Sequence, residues 1–251
     1  AGPAWRVAAH RRAADYVRAH GGPLNVLAHH TERSARPGDE QAARTLVEAG
    51  CGLLRAAPAE AARWLGTALR ILPRPGTQEQ RRDVLLRYAQ ALCLSGDLSR
   101  SWEVLQELRH DGGPLREQTL LFSAAVARMR GDLDEADAML RAHPDVTGRA
   151  PVVEGRRQVE LAAVAALRLD HAGALRHSEQ AIKVLGDESP ELTVAAEALR
   201  GWSALGCGRL DLAATCAGNA ARLADTLSDR VLLPRIELFG PLAWVELQLG
   251  R

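Results

Sequence analysis

Apolar residues recur every three or four positions along most of this chain, and the recurrence stops at short polar turns. The stretch GDLDEADAMLRAHP, residues 131–144, shows one unit of the pattern. A Gly-Asp turn opens it, a proline closes it, and Leu133, Ala136, Met139 and Leu140 fall on one helical face. So short a helix cannot bury its stripe alone. The same periodicity predicts helices near 4–19, 39–55, 58–72, 78–95, 97–110, 115–130, 132–142, 152–169, 171–185, 189–206, 209–226 and 230–249. Residues 73–76, 112–114 and 186–190 read as loops, and Gly240-Pro241 predicts a kink or break in the last helix.

The units repeat. Turns counted from Gly131 have counterparts at Ala57, Gly96, Asp170, Gly208 and Gly250, 35 to 42 residues apart. Seven residues before them stand Gly50, Ala89, Ala124, Ala163, Gly201 and Ala243, all small, as the contact point of two antiparallel helices requires. Two residues after the turn come Ala59, Leu98, Leu133, Ala172 and Leu210; five after it come Ala62, Ser101, Ala136, Leu175 and Ala213. This predicts an all-α fold, a right-handed solenoid of about six antiparallel helix pairs, tetratricopeptide-like, with the last pair incomplete. Residues 1–35 form N-terminal helices ahead of the array, which occupies 36–251. An uncapped terminal pair leaves an apolar face open, so concentration-dependent dimerisation is expected.

Composition supports helix over sheet. Of 251 residues 47% are hydrophobic, 25% charged and only 4% aromatic, and Val and Ile never form the β-branched runs of a parallel sheet. Net charge is +1, which gives no global field for nucleic acid or membrane. Cys51, Cys93, Cys207 and Cys216 form no CxxC pair and sit in helical patterns, as free thiols in a reducing cytoplasm would. No run of eighteen apolar residues and no signal-peptide core occurs.

GDLDEADAMLRAHP and GRLDLAATCAGNAARLAD resemble tetratricopeptide second helices. Over residues 5–72 a further order stands out: His10 to Ala14 (HRRAA), Val26 to His30 (VLAHH) and Ala57 to Ala62 (APAEAA). It resembles the region after the ATPase and winged-helix modules in large ATP-binding LuxR-family regulators, the MalT-like transcription activators. The resemblance implies a non-catalytic sensor segment that binds an inducer or a protein partner. The chain itself has no GxxxxGK[ST] loop and no basic recognition helix, so neither nucleotide nor DNA binding is expected of it. Both ends read as cut from a longer protein.

Candidate sites are few. No GxSxG, HExxH or GxGxxG occurs, and no acid, base and nucleophile converge. His29-His30 with His20 lacks the spacing of a metal site, so packing or capping is the expected role, and no metal or cofactor is predicted. His171 and His177 are assigned to the surface, His110 and His143 to helix C-termini, and Asp132, Asp134 and Glu135 to dipole and capping roles. Trp64 and Trp102 are expected to pack between repeats. Trp202 and Trp244 occupy equivalent positions on successive first helices, in a column with Cys51, Gln90, Ala125 and Val164. That column would face a groove or its edge, where Arg128, Arg157 and Arg168 would add anion recognition; plain inter-repeat packing is the favoured role. The competing functions are a tetratricopeptide-type scaffold without a small-molecule effector and a peptide-pheromone receptor, which would need a helix-turn-helix domain.

Overall fold

The computed structural model describes residues 2–72, 78–110, 116–142, 150–232 and 239–250. Every regular element among them is an α-helix. The chain divides into two compact units, Ala1–Thr119 and Leu120–Arg251.

The first unit holds α1 (Pro3–Ala19), α2 (Leu24–Glu32), α3 (Glu40–Leu53), α4 (Pro58–Ile71), α5 (Gln78–Leu94) and α6 (Leu98–His110). Helix α7 (Arg116–Arg130) crosses the division. The second unit continues with α8 (Leu133–Arg141), α9 (Pro151–Leu167), α10 (His171–Leu185), α11 (Pro190–Gly206), α12 (Leu210–Asp225), the single turn α13 (Asp229–Leu232) and α14 (Gly240–Gln248). The predicted break near Gly240-Pro241 falls at Phe239, and Pro241 sits in the first turn of α14, where its missing N–H costs nothing. The one helix absent from the periodicity reading is α2. The loops at 73–76 and 112–114, and His143, lie outside the described residues.

Neighbouring helices pair through their small residues. The Ser101 hydroxyl on α6 donates to the Ala89 carbonyl on α5 at 2.8 Å. A Cβ on Gly201 of α11 would stand 3.4 Å from Cys216 Cβ and 3.5 Å from the Ala213 carbonyl on α12. On Gly50 of α3 it would meet the Leu65 side chain of α4 at 2.8 Å. Side chains of any size at these points would hold the helices apart.

The turns correct the repeat register. Gly96, Gly131 and Gly208 take φ of 86°, 89° and 71°, but in the α9–α10 turn the left-handed residue is Leu169, at 63°. All four turns close with the same pair of bonds, shown by Gly96 N–H to Cys93 O and Asp97 N–H to Leu92 O. Asp170 is therefore the equivalent of Asp97 and Asp132, one residue beyond the turn glycine; Ala57, which precedes α4, takes the same place. Counted from these residues and Arg209, the positions eight before are Ala49, Ala89, Ala124, Ala162 and Gly201, and the positions four after are Ala61, Ser101, Ala136, Ala174 and Ala213. Every one is small and buried, and the exceptional Leu175 drops out of the column. The column two past the turn is not core: Ala59, Ala172 and Leu210 are exposed. Ala243 is exposed as well.

Larger side chains fill what the small columns leave. Trp64 is fully buried among Ala28, Ala42, Leu46, Ala49, Ala68 and Ile71, joining α2, α3 and α4 as a packing residue. In the second unit Val159, Leu185, Leu192 and Leu199 close a core between α9, α10 and α11. The opening helix α8 buries Ala136, Met139 and Leu140 and packs on α9, where Arg157 donates to the Leu140 carbonyl at 3.2 Å.

Candidate functional site

In the second unit α14 packs on α11 and α12. Val245 is fully buried there, flanked by Leu242 and Leu249 at helical spacing. That anchoring leaves Trp244 half exposed at the mouth of a pocket of about 240 Å³. Trp202 and Leu199 of α11, Ala163 and Leu167 of α9, and Gly240 and Pro241 of α14 also line it. Arg128 of α7 also lines the pocket. Its Nε donates to Glu160 Oε2 at 2.9 Å, and both side chains are almost wholly buried. The guanidinium thus reaches the pocket with its charge already balanced, so the cavity presents apolar and aromatic surface with one polar corner.

Of the six residues assigned to a groove, Trp202, Trp244 and Arg128 meet in this pocket. Arg157 and Arg168 do not line it. Arg157 grips Glu154 at 2.7 Å, and Arg168 pairs with Asp134 and, at 3.6 Å, with Asp137. These acidic partners on neighbouring turns and helices hold both guanidinium groups away. Gln90 lies half buried on α5 of the first unit. Ala125 and Val164, members of the same column, are core residues.

The carboxylates divide between capping and pairing. Asp39 and Asp170 accept from the Ala42 and Gly173 N–H groups at 2.9 and 2.8 Å. Asp132 precedes α8 but does not cap it, because its carboxylate pairs with Arg130 at 3.3 Å. His177 is not a surface group: its Nδ1 lies 2.8 Å from Gln158 Oε1, and burial, with Arg141 and Arg176 nearby, lowers its pKa. His110 closes the last turn of α6, as predicted. Burial, reinforced by Glu197, pushes the Cys216 thiol up to about 12, which makes it inert, while Cys207 is exposed.

The histidines of the first unit meet in a way the sequence did not signal. His10 of α1 and His30 of α2, 20 residues apart, place their Nδ1 atoms 2.9 Å apart, so one ring donates and the other accepts. His29 lies edge-on to both, at 6.0 and 5.3 Å between centroids. Desolvation lowers both pKa values, with Arg33 and His29 adding to the effect. His20 is elsewhere, stacked on Tyr16 at 4.1 Å. Among the described residues no three His, Cys, Asp or Glu groups are placed to hold a metal ion, and no helix is long and apolar enough to cross a membrane.

No family model matches the chain, and no curated protein matches it. Among solved structures the chain is similar to BtubC (BKLC) from P. vanneervenii, with a TM-score of 0.56 over 90% of this chain and 92% of that one. Identity is 13%, so the likeness is one of fold.

Proposed function

We propose that this chain is a non-catalytic helical-repeat binding module, and that its pocket between Trp202 and Trp244 receives an apolar ring from an effector or a partner. The observation that carries this reading is the convergence of two indoles from α11 and α14 on one cavity beside a charge-balanced Arg128. Aromatic walls give a ring large contact area at little loss of side-chain freedom. A cavity of about 240 Å³ suits a single ring system or one large side chain, not an extended cofactor.

Within that module the finer reading is the sensor segment of a MalT-like LuxR-family regulator, working in the cytoplasm, with residues 1–35 linking the repeats to an upstream ATPase. It is supported by the order of His10–Ala14, Val26–His30 and Ala57–Ala62. The effector would act by favouring one arrangement of the helices over another, which requires different affinities for the two. A scaffold that binds a protein partner and no small molecule is the second reading, favoured by the exposure of Trp244 and Leu247 on α14.

The test is calorimetric titration and thermal melting of the chain against sugars and aromatic secondary metabolites. A ligand of the pocket raises the melting temperature of the wild type and does nothing for Trp202→Ala/Trp244→Ala. A shift retained in the double variant, or none with any compound, removes the pocket reading and leaves the scaffold.

A further inference from the structure

A second, larger cavity lies wholly in the first unit. It is a groove of about 670 Å³ between α3 and α5. Glu40, Ala43, Arg44, Val47 and Glu48 form one helical stripe of α3 along it. Glu79, Asp83 and Val84 form the facing stripe of α5. One turn beyond, the Cys51 thiol and the Arg87 guanidinium meet across the two helices and bound the groove.

Its floor is apolar. Ala43 and Val84 are buried, and Val47 and Leu72 are half covered. Its rim is acidic, with four carboxylates against the guanidinium of Arg44 in the lining and that of Arg87 one turn beyond. Arg44 pairs with Glu40 at 3.4 Å, and Asp83 pairs with Arg87 at 2.9 Å. Glu48 and Glu79 are exposed and have no ion-pair partner among the described residues. The first-turn amides of α5 favour Glu79. Glu48, at the third turn of α3, has no such support, so the field along the groove stays negative. Polyanions are repelled by such a rim, which leaves nucleic acid and acidic membrane out.

From residue 40 to residue 51 α3 rises about 16 Å, the length of three helical turns. Two helices with an apolar trough between them accept a third by the same ridge-and-groove packing that joins the repeats. We propose that the α3–α5 groove docks a basic amphipathic helix of a partner protein. The partner's apolar stripe lies on Ala43, Val47, Leu72 and Val84, and its Lys or Arg side chains lie over Glu48 and Glu79. Charge complementarity identifies this occupant, and the tryptophan pocket plays no part in its docking.

The experiment is selection of a displayed random dodecapeptide library on the 251-residue chain, followed by titration of the enriched peptides. Enriched sequences are expected to carry apolar residues three and four apart with Lys or Arg beside them. Their affinity falls about tenfold or more for Glu48→Arg/Glu79→Arg and weakens with salt. It also falls for Val47→Gln, and is unchanged for Trp202→Ala/Trp244→Ala. Glu48 and Glu79 are exposed, so the charge variant stays folded; Glu79→Arg gives up the first-turn position of α5 and lowers the melting temperature slightly, so the melting curve is recorded alongside. Failure to enrich, enrichment without cationic bias, or affinity indifferent to the Glu48 and Glu79 changes overturns the proposal. Loss of binding in the tryptophan variant alone assigns the peptides to the other pocket and overturns it equally.

Discussion

The α1–α2 hairpin and the α9–α12 block both pack neighbouring helices against each other, but different chemistry holds them. In α9–α12 the contact runs through Ala162, Ala174, Gly201 and Ala213, backed by Leu185, Leu192 and Leu199, all buried. In α1–α2 the only buried residues are Ala14, Ala28 and Thr31. Polar contacts complete it: His10 to His30, and Arg11 Nη2 donating to the Ser34 carbonyl at 3.1 Å. Tyr16, Trp5 and Val7 stay exposed. Apolar burial is insensitive to pH and to small shifts, whereas a shared proton between two imidazoles is sensitive to both. The hairpin is thus the conditional part of the molecule and the block its permanent part.

The largest effect should come from the Arg128–Glu160 pair, buried beside the block. Glu160→Leu removes the carboxylate that accepts from Arg128 Nε at a site almost closed to water. Chemical denaturation should show a loss of about 3–5 kcal/mol, with most of it regained in Arg128→Met/Glu160→Leu. Equal losses in the single and double variants would mean that shape, not charge, decides that site.

Truncation comes next and tests the comparison directly. Leu199→Ala empties a fully buried position and should cost about 2–5 kcal/mol. Tyr16→Ala, on the open face of α1, should stay within about 0.5 kcal/mol. Comparable losses would show that α1 is packed as firmly as α11.

A smaller gain sharpens the picture at the turns. Gly21 of the α1–α2 turn and Leu169 of the α9–α10 turn both take positive φ, at 62° and 63°, and the same backbone bonds close both. Leucine there clashes with its own carbonyl, and at 73% exposure it contributes little burial in return. Leu169→Gly should therefore raise stability by about 0.5–1 kcal/mol in equilibrium unfolding.

The mildest change is with pH. His10 and His30 have folded pKa values below the ordinary 6.5, so the unfolded chain binds protons more readily than the folded one. Stability contributed by the pair is present above pH 6.5 and is lost as pH falls below it. After allowance for the intrinsic exchange rate, which itself falls with pH, amide protection in α1 and α2 should be lower at pH 5.5 than at pH 7.5, while α11 and α12 hold theirs. His30→Gln should abolish the difference. An unchanged pH response in that variant would place the sensitivity elsewhere, with His177 the next histidine to examine.

Much of the architecture was legible in the sequence because periodicity and small residues are local signals. Apart from the last, expected over 230–249 and described as α13 and α14, the helices fall within a few residues of their expected limits, and the small columns mark the contacts. The register slipped by one at Ala57 and Asp170 because glycine served as the marker of the turn, and Leu169 holds the same backbone without being glycine. The nine residues of α2 are too few for a periodic pattern to emerge. For the site, what the sequence offered was the matching spacing of Trp202 ahead of Gly208 and Trp244 ahead of Gly250. The pairing of Arg157 with Glu154 and of Arg168 with Asp134 was not, since ion pairing depends on neighbours that only folding supplies. The contact of His10 with His30 and the acidic rim between α3 and α5 were invisible for the same reason.

The burial of the indoles also gives the molecule a built-in optical reporter. Trp64 is sealed among alanines and leucines, so its emission should be blue and indifferent to anything added to the solution. Trp244 stands in water at the pocket mouth, so its emission should be red and open to quenchers. Occupation of the pocket would move the emission of Trp202 and Trp244 and leave that of Trp64, and unfolding would move all three. One spectrum therefore distinguishes a filled pocket from a failing fold without any label attached to the chain.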